Sequence, residues 1–404
     1  MSAAPTPGPA PVPAPGMRIG PLEVSPPVVL APMAGITNAP FRRLCRSFGE
    51  PGGLYVSEMI TARGVVERNQ KTLRMARFAD DEPVRSIQLY GTDPATVGEA
   101  VRFLVDEQRT DHVDLNFGCP VAKVTRKGGG AALPVRRALF TAIVRAAVGA
   151  AGAVPVTVKM RIGVDDGLRT FLDAGRRAAD EGVAAVALHG RTAEQHYSGR
   201  ADWRAIGELK AALDGSGVPV LGNGDIWLPR DALALMASTG CDGVVVGRGC
   251  LGRPWLFRDL AIALAGGEPP PAPPLGEVAE VLRRHARLLV DWFAPEPDDP
   301  DASGRFTPES VTLLDIRKHV GWYLQGYPVG GEVRRRLMAA TTLVALEAEI
   351  DRLDPDLRPL PGSDTQPRGK TSGPRRVVLP EGWLDDVDDP TALVPDDLAA
   401  VSGG

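Results

Sequence analysis

An asparagine and a cysteine stand close together in residues 114–120, which read Asp-Leu-Asn-Phe-Gly-Cys-Pro and end an apolar run. The thiol of Cys119 can serve as a general acid, because a cysteine with its usual pKa near ~8.5 is mostly protonated at neutral pH. Lys123, Arg126 and Lys127 follow, together with a run of glycines. Cationic side chains and bare backbone beside the thiol favour a large anionic substrate. A free cysteine that packs as a small hydrophobe is the alternative interpretation.

Eight short apolar runs rich in β-branched residues supply the elements that must position these groups. Near-continuous apolarity is typical of parallel strands covered on both faces, and intervals long enough for helices separate the runs. Helices are predicted at residues 94–108, 168–180 and 202–213. Eight such units over roughly 240 residues predict an α/β fold, a TIM (β/α)8 barrel spanning residues 17–265. The runs are residues 28–33, 54–57, 84–89, 112–115, 156–160, 184–188, 218–221 and 243–246.

Polar residues gather where the predicted strands end, and in such barrels that rim is the active-site face. Small residues after the last two strands, at 222–225 and 247–249, occupy the place where these barrels bind phosphate. Tight turns are the alternative role of these glycines. Their pairing with a cation favours a phosphorylated ligand. The rim residues are Glu58, Gln88, Asn116, Lys159, Arg161, His189, Asn223, Asp225 and Arg248.

Lys159 lies in an otherwise apolar run, so its ammonium must reach the open rim or hold a partner, because unpaired burial is costly. Two chemistries fit this lysine. It could form a Schiff base, which needs a lowered pKa, or supply a fixed charge beside an electron-rich ring. Gln88 offers both a donor and an acceptor to the edge of a heterocycle. His189 could donate to a ring carbonyl or a phosphate, or be structural.

Ordered motifs run through residues 17–350: Ala-Pro-Met-Ala-Gly at 31–35, Asn-Phe-Gly-Cys-Pro at 116–120, Lys-Met-Arg at 159–161, His-Gly-Arg-Thr at 189–192, Asn-Gly-Asp at 223–225, Gly-Arg at 247–248 and Arg-Lys-His at 317–319. With these motifs the chain resembles the tRNA-dihydrouridine synthases, especially their bacterial B-type branch. So many motifs in one order are not expected by chance.

The resemblance implies an FMN enzyme that reduces a uridine in the D-loop of tRNA to 5,6-dihydrouridine with electrons from NADPH. It implies that hydride passes from flavin N5 to C6 of uracil, that Cys119 gives the proton to C5, and that Asn116 helps to place the uracil. Position 17 of tRNA is the target that the B-type branch suggests. The implied cofactor contacts are Pro32, Met33, Ala34, Gln88, Lys159, His189, Asn223, Gly224, Asp225, Gly247 and Arg248.

A proline-rich link at residues 268–274 leads into a predicted helical domain, residues 275–353, with helices at 278–293, 308–325 and 332–353. The resemblance implies that this domain holds tRNA, whereas a solvated helix face is the alternative for its cations. The acidic insert at residues 294–307 is interpreted as a passive loop. Predicted RNA-binding residues are Lys123, Arg126, Lys127, Arg317, Lys318, Arg334, Arg335 and Arg336.

Composition agrees with a large barrel and a small second domain, since 44% of the 404 residues are apolar. The net charge of −4 is unusual for an RNA-binding protein. However, the stretch after residue 381 is acidic without Lys or Arg, and local charge decides binding. Residues 1–16 and 354–404 are rich in Pro with Ala, Gly or Asp and are predicted to be unstructured tails.

Neither a signal peptide nor a membrane-spanning stretch is recognisable, so a cytoplasmic protein that does not bind membranes is expected. The four cysteines lack metal-ligand spacing, and no metal is expected. We expect a monomer, although the sequence leaves the oligomeric state open. Two other functions also fit these residues: a barrel flavoenzyme acting on a free pyrimidine, and a catalytically silent RNA-binding protein that kept the fold.

Overall fold

The computed structural model describes residues 16–49, 52–293, 308–369, 371 and 373–392 of the chain. Predictions for residues 1–15 and for the insert at 294–307 therefore lie outside the described residues. An antiparallel hairpin, β1 (Met17–Ile19) and β2 (Leu22–Val24), precedes a parallel sheet of nine strand segments. These segments are β3 (Val28–Leu30), β4 (Leu54–Tyr55), β5 (Met59–Thr61), β6 (Ser86–Tyr90), β7 (His112–Phe117), β8 (Val156–Arg161), β9 (Ala185–His189), β10 (Val220–Asn223) and β11 (Gly243–Val246).

The parallel sheet closes into a barrel through one interrupted strand. Its order is β4-β3-β11-β10-β9-β8-β7-β6-β5, so β4 and β5 form its two ends, and both belong to residues 54–61. Between them, the N–H of Val56 donates to the Leu30 carbonyl at 3.4 Å and that of Ser57 to the Ser86 carbonyl at 3.1 Å. The TIM-type barrel predicted from the sequence is thereby confirmed, with a second strand longer than the predicted 54–57.

Helices follow the strands on the outside of the barrel. The helix predicted at 94–108 spans residues 94–106. It begins after Asp93, whose Oδ2 accepts from the Thr96 N–H at 2.7 Å. The helix predicted at 168–180 begins three residues later, at Phe171. The helix predicted at 202–213 begins one residue later, at Trp203. The barrel helices are α1 (Ala39–Arg46), α2 (Ala62–Val66), α3 (Gln70–Met75), α4 (Pro94–Asp106), α5 (Ala122–Thr125), α6 (Arg137–Ala151), α7 (Phe171–Asp180), α8 (Trp203–Ala212), α9 (Pro229–Thr239) and α10 (Leu256–Leu264).

The N-terminal hairpin closes the end of the barrel where the strands begin. Met17 and Ile19 are buried in one cluster with interior side chains such as Leu221 and Val245. A Cβ added to Gly243, the first residue of β11, would lie 2.8 Å from the Met17 sulfur. With that end filled by apolar side chains, the open space is left at the end where the strands finish.

A second apolar cluster forms the core of a helical domain after the barrel. Its helices are α11 (Leu275–Phe293), α12 (Pro308–Tyr323), α13 (Gly330–Ala339) and α14 (Leu343–Ile350). The predicted single helix at 332–353 is wrong, because the backbone leaves the helix at Ala340 and starts again after Thr342. The Thr342 hydroxyl accepts from the Ala345 N–H at 3.1 Å and so caps α14. Leu44 of α1 and Trp255 belong to the same cluster, which ties this domain to the barrel.

The prediction of an unstructured tail at residues 354–404 is wrong for the described part of that segment. We call the described residues within 367–389 the C-terminal strap; it has no regular helix or strand, yet it packs on the barrel. Its Trp383 is 1% exposed, and its indole N–H donates to the Ala132 carbonyl at 2.9 Å. A buried indole removes roughly 150–250 Å² from water, which helps to offset the entropy lost by ordering the surrounding chain.

No helix among the described residues has both the length and the apolarity to cross a membrane. No group of three His, Cys, Asp or Glu side chains in that part of the chain could hold a metal ion. The predicted cellular location and the monomeric state stay predictions.

Candidate functional site

A cavity of about 980 Å³ opens where the barrel strands end. Every residue predicted as a cofactor contact lines it, together with Asn116 and Cys119. Lys318 and Trp322 of α12 contribute to its wall, and so do Arg375 and Arg376 of the C-terminal strap. The barrel, the helical domain and the strap therefore share one site.

The position of Cys119 is set by an amide at the end of β7. Asn116 Oδ1 accepts from the N–H groups of Gly118 at 3.1 Å and of Cys119 at 2.9 Å. Asn116 Nδ2 donates to Gln88 Oε1 at 2.8 Å. The side chain of Asn116 thus bridges β6 and the turn that carries the thiol.

A buried polar chain supports this bridge from below. Gln88 Nε2 donates to Asp114 Oδ2 at 2.7 Å, and the Thr157 hydroxyl donates to Asp114 Oδ1 at 2.6 Å. The chain continues from Thr157 to His112 at 2.9 Å and from His112 to Ser86 at 2.7 Å. Since a carboxylate only accepts, Asp114 fixes which end of the Gln88 amide faces Asn116. Burial raises the pKa of Asp114 to about 6, while bonds from Thr157 and Gln88 act in the opposite direction.

The thiol of Cys119 is kept protonated by its surroundings. Burial raises the pKa of Cys119, and this effect exceeds the opposing influence of the Val121 N–H and of the cations Arg161 and Lys159. Cys119 is half-buried at the cavity, whereas the other three cysteines are buried. The accessible sulfur is therefore suited to donate a proton rather than to attack as a thiolate.

Two cations of β8 have different tasks. Arg161 is 4% exposed and braces the cysteine turn: its Nε donates to the Gly118 carbonyl at 2.9 Å, and its Nη1 donates to the Thr192 and His196 carbonyls, both at 2.8 Å. Lys159 Nζ has no hydrogen bond or ion pair with any described residue and lines the cavity. Burial lowers the pKa of Lys159 to about 8, and repulsion from Arg161 is a second, smaller cause. Its ammonium is thus available to a ligand.

The turns after β10 and β11 expose backbone at the opposite side of the cavity. Gly224 has φ +128°, and a Cβ there would lie 2.6 Å from the Ala201 Cβ, so only glycine fits. Asn223 Nδ2 donates to the Val245 carbonyl at 2.7 Å, which ties the two strands together. The guanidinium of Arg248 lies 4.3 Å from the centre of the Tyr197 ring.

Arg191 organises these turns, a role that its place in the His-Gly-Arg-Thr motif did not predict. It is 1% exposed, and its Nη2 donates to Asp225 Oδ2 at 2.8 Å and to the Gly199 carbonyl at 2.7 Å. Asp225 Oδ2 also accepts from the Ala201 N–H at 2.7 Å. Asp225 therefore shapes the turn. Because Arg191 compensates its charge, this carboxylate does not repel an anionic ligand.

His189 is held in its neutral form. Burial lowers its pKa well below the usual value, and the nearby cations Arg161, Lys159, Arg191 and Arg248 lower it further. A neutral imidazole has one donor and one acceptor nitrogen, and Nε2 of His189 lies 3.5 Å from Arg191 Nη1, which leaves the other nitrogen for a ligand. The geometry leaves His189 available as a hydrogen-bond partner and removes it as a source of positive charge.

The helical domain reaches the cavity with Lys318 as well as with Trp322. Lys318 Nζ donates to the carbonyl of Gly35 in the first barrel loop and pairs with Asp315. The Gly35 N–H donates to Glu58 Oε2 at 2.7 Å, and burial raises the pKa of Glu58. This loop, which includes the predicted contacts Pro32 to Ala34, is thus held from both sides.

The other predicted RNA-binding cations lie away from the cavity wall. Arg334 Nη2 donates to the carbonyls of Leu324 at 2.7 Å and Tyr327 at 3.3 Å, beyond the end of α12. Arg335 pairs with an acidic side chain of its own helix, and Arg336 Nε lies 2.9 Å from a carboxylate of α14. Their roles toward RNA stay predictions, as does that of Arg317. Lys123, Arg126 and Lys127 lie on or directly after α5, beside the cysteine turn.

Sequence patterns missed other cavity residues for different reasons. Arg191 and Tyr197 lie inside or beside a motif already noted, and a buried arginine there could have been suspected. Trp227 carries no local pattern that separates a site residue from a core residue, whereas Trp322 was noted beside the cations of the helical domain and not as a cavity residue. Arg375 belongs to a segment whose composition predicted no structure.

Comparisons with known proteins agree with this geometry. The family profile described as Dihydrouridine synthase (Dus) matches residues 29–354. A protein described as Probable tRNA-dihydrouridine synthase from Mycobacterium tuberculosis (strain ATCC 25618 / H37Rv) is 52% identical over 398 residues, with 97% of each chain covered. The tRNA-dihydrouridine synthase B of Xanthomonas axonopodis pv. citri (strain 306) is 39% identical over 327 residues, covering 81% of this chain and 92% of that one. As its motifs predicted, the chain belongs to the dihydrouridine synthase family and has B-type members among its relatives.

Proposed function

We propose that this protein reduces a uridine of tRNA to 5,6-dihydrouridine, with FMN as the bound flavin and NADPH as the electron source. The observation that carries the proposal is that Cys119 and Lys159 line the same cavity, with no hydrogen bond or ion pair from Lys159 Nζ to any described residue. Family membership supports the reaction and a flavin cofactor. It also weighs against a Schiff base on Lys159 and against a catalytically silent protein.

The cavity residues fit FMN in both size and chemistry. Its volume of about 980 Å³ lies at the upper end of the range for small-molecule sites. Backbone at Gly224 and Gly247, together with Arg248, suits the phosphate, because exposed N–H groups and a guanidinium bind such oxygens. Gln88 and Lys159 suit the polar edge of a heterocycle, since they present an amide and an ammonium to the cavity.

A reduced flavin held against Gln88 and Lys159 would supply the hydride that C6 of the uracil ring receives. The pair of electrons from the C5–C6 double bond then lies on C5 and the C4 oxygen. The S–H of Cys119 donates its proton to C5, which completes the addition of two hydrogen atoms across the bond. Asn116 and Arg161 act through the backbone of Gly118 and Cys119, where they hold the sulfur in position.

Electrostatics in the cavity favour this chemistry. Lys159 carries a positive charge below pH about 8 and stabilises negative charge on a ligand placed against it. Gln88 uses one amide hydrogen for Asp114 and keeps the second for a ligand. His189 is neutral and offers a hydrogen bond without adding a fixed charge.

The experiment that tests the proposal uses the purified full chain, FMN, NADPH and tRNA transcribed in vitro. Nucleoside mass spectrometry should detect dihydrouridine in the product, and mapping should place it in the D-loop. The Cys119→Ala variant should keep FMN and oxidise NADPH but form no dihydrouridine. If the flavin-loaded wild type leaves all tRNA uridines intact, the proposed function is wrong. Reduction of free uracil or uridine instead of tRNA would favour a free-pyrimidine enzyme.

A further inference from the structure

The C-terminal strap is fixed to both domains at its start. Arg368 is 3% exposed, and its Nη1 donates to the Leu251 carbonyl of the barrel at 3.0 Å and to the Trp322 carbonyl of α12 at 2.6 Å. Its Nη2 reaches the Gln325 carbonyl at 3.4 Å. A buried guanidinium with three carbonyl acceptors holds this point of the strap at the edge of the cavity.

A second anchor fixes the strap on the other side of the site. Trp383 fills a pocket of the barrel core, where a Cβ added to Gly128 would lie 2.4 Å from its ring. Arg136 donates from Nε to the Trp383 carbonyl at 3.0 Å and pairs through Nη1 with Asp389 at 2.8 Å. The Arg136 guanidinium also lies 4.8 Å from the centre of the indole ring.

Between these anchors the strap lines the cavity with two adjacent arginines. Arg375 and Arg376 are both exposed and both belong to the cavity wall. The backbone N–H of Arg375 donates to the Glu194 carbonyl at 2.9 Å, which places the pair beside the loop that follows β9. Neither guanidinium has an ion pair with a described carboxylate. Two unneutralised charges are thus built into the entrance by a firmly attached segment.

We propose that Arg375 and Arg376 bind backbone phosphates of the RNA substrate at the entrance of the cavity. This inference rests on the proposed function and deepens it, because it assigns part of the tRNA surface to the strap. The family profile ends at residue 354, so these arginines lie outside the residues that it matches.

The position of the pair favours RNA over the small ligands. Lys159 and Arg248 line the same cavity but are half-buried, which suits a ligand that lies within the site. Arg375 and Arg376 are exposed, so they face an anion that extends beyond it. A nucleic-acid strand carries one negative charge for each nucleotide, and arginines at a groove edge bind such phosphates without reading sequence.

The test compares Arg375→Gln/Arg376→Gln with the wild type in steady-state kinetics and in filter binding of tRNA. We expect KM and Kd for tRNA to rise on the order of tenfold, and the slope of log Kd against log salt to fall by about 1 to 2. FMN content, KM for NADPH and kcat at saturating tRNA should not change. Arg375→Lys/Arg376→Lys should retain most of the binding, because it keeps both charges.

A matched control removes two exposed arginines from outer barrel helices, Arg102→Gln/Arg176→Gln, and should leave tRNA binding unchanged. Unchanged tRNA affinity and salt slope in the strap variant would overturn the inference. Loss of FMN or a raised KM for NADPH, with tRNA binding intact, would assign the arginines to those ligands and also overturn it. A wild type that binds tRNA but forms no dihydrouridine would refute the proposed function instead, while the binding data still decide this inference.

Discussion

The side chain of Asn116 binds the backbone of Cys119 and not the sulfur of Cys119. Asn116 Oδ1 accepts from the Cys119 N–H at 2.9 Å, while Nδ2 of the same amide donates to Gln88 Oε1 at 2.8 Å. Gln88 is in turn oriented by the carboxylate of Asp114 at 2.7 Å. The sulfur is therefore positioned without a strong hydrogen bond that would have to break before it gives up its proton.

The Asn116→Ala variant should reduce uridine on the order of 10²-fold more slowly, because small displacements of a catalytic group have effects of this size. FMN binding and NADPH oxidation should remain. Rates of dihydrouridine formation under single-turnover conditions provide the measurement.

The matched control is Asn69→Ala, since Asn69 Oδ1 accepts from the Thr72 N–H at 3.1 Å at the start of α3, away from the cavity. That variant should lose about 1 kcal/mol of stability and no activity. Equal rates for both variants would contradict the positioning role.

Alkylation of Cys119 by iodoacetamide should be slow at pH 7, because burial raises the pKa of its thiol and only the thiolate reacts. The rate should rise about tenfold for each pH unit up to pH 9, and it should stay below that of glutathione throughout this range. Mass spectrometry of the full chain identifies the modified residue, with Cys119→Ala as the control. Rapid alkylation at pH 7 would reveal a thiolate, which could not act as the acid.

Binding of FMN should weaken above pH 8 in the wild type. Burial and Arg161 lower the pKa of Lys159 to about 8, so its charge is present below that pH and is lost as the pH rises through it. Fluorescence titration should show a roughly three- to tenfold increase in Kd between pH 7.5 and 9.5. Lys159→Met should bind FMN weakly, with little dependence on pH.

The control Lys210→Met removes a lysine that pairs with Asp242 away from the cavity, and it should behave as the wild type does. A pH-independent wild type would exclude a charge effect of Lys159.

Replacement of Trp383 should destabilise the whole protein. Trp383→Ala removes a fully buried indole, and truncations of this kind cost about 3–5 kcal/mol. Trp383→Phe retains most of the apolar burial but loses the bond to the Ala132 carbonyl, so a loss of about 1–2 kcal/mol is expected. Urea unfolding at neutral pH gives both values.

The neighbouring Leu384 is 53% exposed, and Leu384→Ala should change stability by less than about 0.5 kcal/mol. Similar values for Trp383→Ala and Leu384→Ala would show that the strap does not support the fold.

Much of the barrel could be predicted because its signals are local. Apolar runs separated by helical intervals identified the eight strands, and residues at strand ends were expected to meet because parallel strands finish at the same edge. For this reason the sequence correctly predicted that Gln88, Lys159 and His189 lie together, and they line one cavity. The break in the second strand around Ser57 was not predictable, since it depends on which neighbour each half pairs with.

The remaining parts depend on long-range packing that composition does not encode. Trp383 lies among Pro, Asp and Gly, and its burial depends on a pocket formed by residues far away in the chain. The helix predicted at 332–353 carried a continuous apolar pattern, but the cap at Thr342 divides it. Arg191 was overlooked because a buried arginine is recognised only once its acceptors, such as the Gly199 carbonyl, are placed around it.

The bond between Trp383 and Ala132 joins residues that are 251 positions apart. This contact can therefore form only after the ribosome has added Trp383, long after it has made Ala132. A polypeptide that stops before Trp383 contains every residue that the family profile matches, yet it lacks this contact. Termination of translation between residues 355 and 382 would thus spare the whole family region and still remove a support of the barrel.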